Sequence, residues 1–312
     1  MYKYLFGPVP SRRLGMSLGI DLVPKKVCSL NCVYCEVGET TKLSLNRMEY
    51  VKDDKSIVEL KQFMSSPPKV DYMTFSGYGE PTLNSRRDEV LGHIKQSYPE
   101  VKTAILTSGA LLADKQLRTE ILASDVILPS LDAASQAVFE KINRPNPNLK
   151  IETYIQGLVD MRKEYKGSIW LEVFLLKDYN DSPDELMLLK EAILKIKPDT
   201  VQLNTLDRPG TVSGLKALTN EELQTVANNW NIPNVEIIAS ASKRTSLESF
   251  NTDIEATILT TIARRPCTLD DLHQILGIHV NEINKYLGTL ELNNKIRSVE
   301  LERGLFYELS DK

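Results

Sequence analysis

The sequence predicts an α/β fold, a partial (β/α)6 barrel over residues 1–250 followed by a small second domain over residues 251–312. Two observations predict it. Short apolar runs alternate with longer amphipathic stretches between residues 17 and 205, and the texture changes near residue 250. Six strands cannot close an eight-stranded barrel, so the sheet is expected to stay open.

The elements follow in order. The runs 17–23, 70–75, 101–107, 125–130, 169–176 and 200–205 are rich in Val, Ile, Leu and aromatic residues, the composition of short buried strands. Between them, 57–64, 89–97, 151–165 and 185–196 repeat apolar residues at helical spacing. Such alternation implies βα units and a parallel sheet, whose working loops lie at the carboxyl ends of the strands. Past residue 250, 252–262 reads as an amphipathic helix. Thr268 caps a second helix with an acidic first turn, and 279–292 is a third. The segments 296–301 and 305–309, around Arg303-Gly304, form a hairpin. Three helices and a hairpin resemble a winged-helix domain, completing a TIM-like partial barrel with a C-terminal winged helix.

The chain has 312 residues, 42% hydrophobic and 26% charged, which is ordinary globular composition. The opening residues lack the apolar run of a signal peptide, and no stretch has the length of a membrane helix. A reduced, cytoplasmic protein with no membrane partner is expected. The net charge of −4 argues against a dominant nucleic-acid footprint. From residue 250 onward, ten acidic side chains stand against seven basic ones. DNA is therefore not an expected partner of the small domain; protein contact or substrate delivery is.

Cys28, Cys32 and Cys35 have the spacing C-x3-C-x2-C. Three thiolates on one short loop can hold three irons of a four-iron, four-sulfur cube and leave the fourth iron open to a small molecule. A structural zinc site would want a fourth Cys or His, and the nearest histidine in sequence is His93. A disulfide would leave one thiol over, with nothing to suggest an oxidising compartment. The remaining cysteine, Cys267, reads as a small buried hydrophobe.

This spacing, with Tyr34 just before the last cysteine, resembles the signature of the radical S-adenosylmethionine (SAM) superfamily, in which SAM chelates the open iron. The resemblance covers about residues 1–250. It implies that Tyr34 packs near the adenine of SAM; simple packing of a partly buried tyrosine is the alternative. The family's Gly-Gly-Glu-Pro-like segment, which holds the methionine amino group, corresponds to Gly77-Tyr78-Gly79-Glu80-Pro81. Tyr78 stands there in place of the first of the paired glycines. Thr107 and Ser108 end the third strand where the family often has Thr-Asn-Gly; they either donate to the ligand or cap the next helix. Ser130 and Asp132 suit the ribose hydroxyls or carboxylate of SAM, with Asp132 as N-cap of a helix over 133–142 the alternative. Arg144, after that helix, either reaches an anion or lies on the surface. Glu172, a charge inside an apolar strand, and Asn204 join the SAM-contacting set; an exposed edge is the other reading of Glu172. Arg12 and Arg13 are expected at the pocket mouth, as substrate-anion contacts or as a solvated basic pair.

The opening Gly-Pro-Val-Pro-Ser-Arg-Arg and Pro-Ser-Leu-Asp-Ala resemble the branch of iron-sulfur oxidoreductases related to wyosine-forming tRNA enzymes. Those enzymes carry cysteines for a second cluster, which this chain lacks, so the wyosine reaction does not carry over. The resemblance implies a [4Fe-4S] cluster that cleaves SAM reductively to a 5′-deoxyadenosyl radical, which abstracts hydrogen from a substrate. It also implies an electron donor such as a flavodoxin or ferredoxin. A tRNA or other anionic substrate, or a peptide or protein, is admissible. An iron-sulfur redox-sensing regulator acting through the winged helix is the alternative function.

Overall fold

The computed structural model describes residues 2–11, 13–238, 254–278 and 280–310. The chain opens with a hairpin, β1 (Leu5–Ser11) and β2 (Gly15–Ile20), and then a loop carrying the short strands β3 (Val27–Cys28) and β4 (Lys42–Leu43). Alternation follows: α1 (Asp53–Met64), β5 (Tyr72–Phe75), α2 (Arg87–Ser97), β6 (Lys102–Thr107), α3 (Lys115–Ile121), β7 (Val126–Pro129), α4 (Gln136–Ile142) and α5 (Ile151–Glu164). The barrel part ends with β8 (Ser168–Leu175), α6 (Pro183–Ile196), β9 (Thr200–Thr205), α7 (Asn220–Trp230) and β10 (Val235–Ile237).

The strand order is β1-β2-β5-β6-β7-β8-β9-β10, with β1 antiparallel to β2 and each later neighbour parallel. All six expected strands are present. The sheet gains an extra strand at each edge, and among the described residues those edges do not pair with one another. The sequence reading missed β1 because Gly7, Pro8 and Pro10 look like a turn. Proline is tolerated on an edge strand, where its missing N–H breaks no ladder, and the register of β1 slips between Phe6 and Val9. The three-residue β10 is too short to show a period.

Period-two alternation sorts β8 into two faces. Ile169, Leu171, Val173 and Leu175 are buried in the main core with residues of α5 and α6, such as Leu158, Met161, Leu189 and Ile193. Trp170, Glu172 and Phe174 lie on the other face, toward the lumen. The helix following Asp132 starts later than expected. Ser135, not Asp132, is its N-cap, accepting from the Val138 amide at 3.4 Å. Asp132 is thereby left for other work.

The small domain comprises α8 (Ile254–Arg264), β11 (Cys267–Thr268), α9 (Leu269–Leu276), α10 (Val280–Leu292), β12 (Ile296–Leu301) and β13 (Gly304–Leu309), with sheet order β11-β13-β12. Thr268 caps α9 as expected, in a capping box with Asp271. Cys267 is fully buried in the apolar core of this domain. The domain boundary expected at residue 250, and the start of the helix at residue 252, lie outside the described residues. Among the described residues, no helix is long and apolar enough to cross a membrane.

Candidate functional site

The loop after β2 is braced on several sides before any cofactor is considered. Asn31 and Val33 donate their amides to carbonyls at the end of α4, Asn143 at 2.9 Å and Ile142 at 3.0 Å. The Ser44 amide donates to the Cys28 carbonyl at 2.9 Å, and the amides of Thr211 and Val212 donate to the Val33 carbonyl. Cys28, Cys32 and Cys35 are unpaired and partly exposed on this frame, whereas Cys267 is buried. Two side chains donate to the sulfurs: Lys26 Nζ to Cys35 Sγ and Asn143 Nδ2 to Cys32 Sγ, each at 3.3 Å. Burial, with the charge of Glu80 adding to it, pushes the Cys28 thiol up to about 12. Burial and Asp132 push Cys32 well above its ordinary value. Metal binding at these sulfurs must therefore release protons.

The loop after β5 packs against this frame. A Cβ on Gly79 would stand 2.2 Å from the Val27 carbonyl oxygen, and one on Gly77 would stand 2.1 Å from the carboxyl carbon of Asp21. Close approach to backbone requires glycine at Gly79, whereas a side chain at Gly77 would have to displace the Asp21 carboxyl. The Glu80 amide donates to the Val27 carbonyl at 3.0 Å, joining this loop to the start of the cysteine loop. The Glu80 carboxylate is buried. Its Oε1 accepts from the Thr82 amide (3.0 Å), the Thr82 hydroxyl (2.6 Å) and the Thr107 hydroxyl (2.6 Å); its Oε2 accepts from the Ser108 amide (2.7 Å). A carboxylate accepts about four hydrogen bonds, two at each oxygen. Oε1 is crowded, and Oε2 keeps a position for a ligand ammonium. Thr107 and Ser108 thus act first on Glu80. The Ser108 hydroxyl also lies 3.3 Å from that of Ser29 on the cysteine loop.

Tyr34 stacks on Phe174 with ring centroids 3.9 Å apart, and its hydroxyl donates to Asp132 Oδ2. Asp132 also accepts from Asn143 Nδ2 at 2.8 Å and from the Phe174 amide at 3.0 Å. Burial holds its carboxyl up at about 6 against these hydrogen bonds. It is an internal acceptor that positions Tyr34 and Asn143. Asn143 Oδ1 is buried without a partner in this otherwise satisfied network. The Tyr154 hydroxyl is shared between the Ser108 and Ser130 carbonyls, tying the carboxyl ends of β6 and β7 together. The Ser130 hydroxyl has no partner among the described residues.

Glu172 reaches the lumen, where Arg13 Nη1 donates to it at 2.6 Å and Asn204 Nδ2 at 2.8 Å. Arg13 also donates to Gln202 at 3.3 Å. The position of Arg13 differs from the expectation. The β1–β2 turn lies beside Gly15, at the amino end of the parallel strands, whereas the cysteine loop leaves their carboxyl end. Arg13 therefore enters the lumen from the far end, mostly buried against Glu172 and Gln202, and is not at the mouth. Arg12 lies outside the described residues. Arg144 is exposed on the surface, with a positive φ of 43°.

Sequence reasoning missed Lys26, Asn143 and Asp21. Lys26 looks like any loop lysine beside Lys25, yet a φ of 63° turns it into the protein, where it is 5% exposed. Asn143 carried the weak signal of a polar residue directly before Arg144-Pro145 at a helix end. Pocket and thiols do not coincide: a cavity of about 1210 Å³ lies beside the cysteine loop. Its wall runs from Phe6 and Gly77 of the barrel, past Glu36, to Thr261, Arg264 and Arg265 of α8.

The donor set fits a [4Fe-4S] cluster with SAM. Three unpaired thiols share one braced loop, two N–H groups serve their sulfurs, and a buried carboxylate keeps an acceptor position directly after a glycine cradle.

Comparison with known proteins agrees with this geometry. Residues 22–189 match the family described as the radical SAM superfamily, and residues 241–300 match the DprA winged helix domain. A protein named GTPase Obg from Brachyspira hyodysenteriae is 38% identical over 316 residues, covering 99% of this chain and 45% of that protein. The chain thus spans less than half the length of that relative. It has no Gly-Lys dipeptide and so no G-x4-G-K phosphate loop. A UPF0026 protein of Helicobacter pylori is 35% identical over 222 residues, 70% of this chain and 71% of that one. A radical SAM methyltransferase from Sphaerobacter thermophilus shares the fold, with TM-score 0.55 and 16% identity over 72% of this chain and 67% of that one.

Proposed function

This chain belongs to the radical SAM superfamily, whose enzymes use a [4Fe-4S] cluster and SAM, and we propose that its own reaction is hydrogen abstraction from an anionic substrate. The observation that carries the SAM half is the Glu80 carboxylate, buried between the cysteine loop and the end of β6 with one acceptor position left. What supports the anionic substrate is the cavity beside that loop, whose wall includes Lys69 and Arg265 as well as Glu36.

Cys28, Cys32 and Cys35 would hold the cluster, and Glu80 the amino group of SAM. When bound, the two supply one-electron cleavage of the sulfonium and a 5′-deoxyadenosyl radical. The chain's own residues do the rest. Lys26 and Asn143 donate to two of the sulfurs, and such hydrogen bonds stabilise electron-rich clusters. Tyr34 and Phe174, stacked over Asp132, exclude water from one side of the site. The free hydroxyl of Ser130 offers a polar contact to the ribose. A flavodoxin or ferredoxin would supply the electron. The regulator reading is not favoured, because Arg264 and Arg303, two of the small domain's basic side chains, are engaged by barrel carboxylates.

The test is anaerobic reconstitution with iron and sulfide, followed by dithionite and SAM, with 5′-deoxyadenosine as readout. Product from the wild type, lost in Cys32→Ala, is the expected result. A colourless preparation that takes up zinc and never iron would sink the proposal.

A further inference from the structure

We propose that Arg264, a residue of the small domain, is a positioning residue for the SAM-binding loop 77–80, which makes the winged helix a part of the SAM site. The inference rests on the radical SAM reading of that loop.

Arg264 ends α8, and its guanidinium lies between two aromatic faces of the barrel part, 3.7 Å from the centroid of Phe6 and 4.6 Å from that of Tyr78. Such cation–π contacts favour a planar guanidinium over an ammonium. Its Nη1 stands 3.4 Å from Asp21 Oδ2. That same oxygen accepts the Tyr78 amide at 3.1 Å, and the carboxylate fills the space a Gly77 side chain would need. One guanidinium therefore touches the ring of Tyr78 and, through Asp21, its backbone.

Tyr78 is the residue at which this chain departs from the paired glycines of the family pattern. A bulky ring in a loop built for close approach needs an external support, and Arg264 with Phe6 supplies it. The loop transmits position in two directions. The Tyr78 carbonyl accepts the Lys26 amide at 3.0 Å, and Lys26 serves Cys35. Two residues on, Glu80 presents its free acceptor position.

A second link docks the same domain independently. Buried Arg208 stands 3.3 Å from Glu36, next to Cys35, and 3.7 Å from Asp271 of α9. Arg303 pairs with Asp207 at 2.8 Å and with Asp271 at 2.7 Å. This link lets docking and loop positioning be separated by mutation.

The experiment compares anaerobically reconstituted wild type, Arg264→Ala, Arg264→Lys and Arg303→Ala. SAM binding is measured by equilibrium dialysis, and amide hydrogen exchange is followed at Tyr78. Arg264→Ala is expected to weaken SAM about tenfold, the order of one lost charge-assisted contact, and to speed exchange at Tyr78 with iron content unchanged. Arg264→Lys should recover part of both, and Arg303→Ala should leave both as in wild type. Wild-type SAM affinity in Arg264→Ala overturns the inference alone. Equal weakening by Arg303→Ala also overturns it, since the effect would then come from general loosening of the domain. A wild-type holoprotein that binds no SAM overturns the function proposed above, and this inference with it.

Discussion

Replacing Glu80 by glutamine separates a purely ligand-binding carboxylate from one that also holds the fold. Four protein donors converge on it: two backbone amides, of Thr82 and Ser108, and the hydroxyls of Thr82 and Thr107. Hydroxyls rotate and can accept instead; backbone amides cannot. A glutamine NH2 placed at Oε2 faces the Ser108 amide, and one placed at Oε1 faces the Thr82 amide. Either orientation strands one buried backbone N–H, at a cost of about 1–3 kcal/mol. The surviving bonds lose their charge assistance, which roughly halves their strength. Glu80→Gln should therefore destabilise the cluster-free protein by roughly 3 kcal/mol, before any effect on SAM. Thr107→Val, which removes one hydroxyl donor and strands the Gly109 amide that this hydroxyl accepts at 3.0 Å, should cost about 2 kcal/mol. Urea unfolding of the cluster-free protein under reducing conditions measures this. Both tryptophans, Trp170 and Trp230, lie in the barrel part, so their fluorescence reports the right domain. A Glu80→Gln protein as stable as wild type would refute the reasoning and leave Glu80 with a ligand role alone.

Gly79→Ala places a methyl group 2.2 Å from the Val27 carbonyl oxygen, a backbone atom that cannot swing aside. It should lower the iron taken up on reconstitution and cost about 2 kcal/mol or more, read by iron assay and urea unfolding. The Asp271 carboxyl is held below its ordinary value, burial opposing and the bonds from Arg303 and the charge of Arg208 prevailing. A depressed folded pKa means that its contribution is fully present above the unfolded value of about 4 and is lost as pH falls further. Thermal unfolding of the small domain, followed from neutral pH down past pH ~4, should show a loss of stability that Asp271→Asn lacks. At pH 7 that variant should be less stable by about 2 kcal/mol. An acid response in the variant equal to that of wild type would remove Asp271 from this role.

Local regularities in the sequence were enough for much of this protein. Apolar runs of strand length determined six strands in order, and stretches of helical period the helices after four of them, because side-chain periodicity is a local property of the backbone; α3 and α7 were not read. Thr268 before two acidic residues announced its helix for the same reason. The cysteine spacing and Gly77-Tyr78-Gly79-Glu80-Pro81 marked the site, since thiolates that share one cluster must lie close and a backbone that approaches another so tightly needs glycine. Tertiary structure decided what these residues touch. Asp132 was expected at the ribose or carboxylate of SAM, or else as a helix cap, and became an internal acceptor for Tyr34, with Ser135 at the helix start. Arg13 was placed at the mouth and proved to enter from the opposite end, since only the β1–β2 register fixes which end that turn occupies. Lys26 gave no usable local signal, Asn143 only a weak one and Arg264 none. Their partners lie 9, 111 and 243 residues away in sequence, and only folding brings such groups within hydrogen-bonding range.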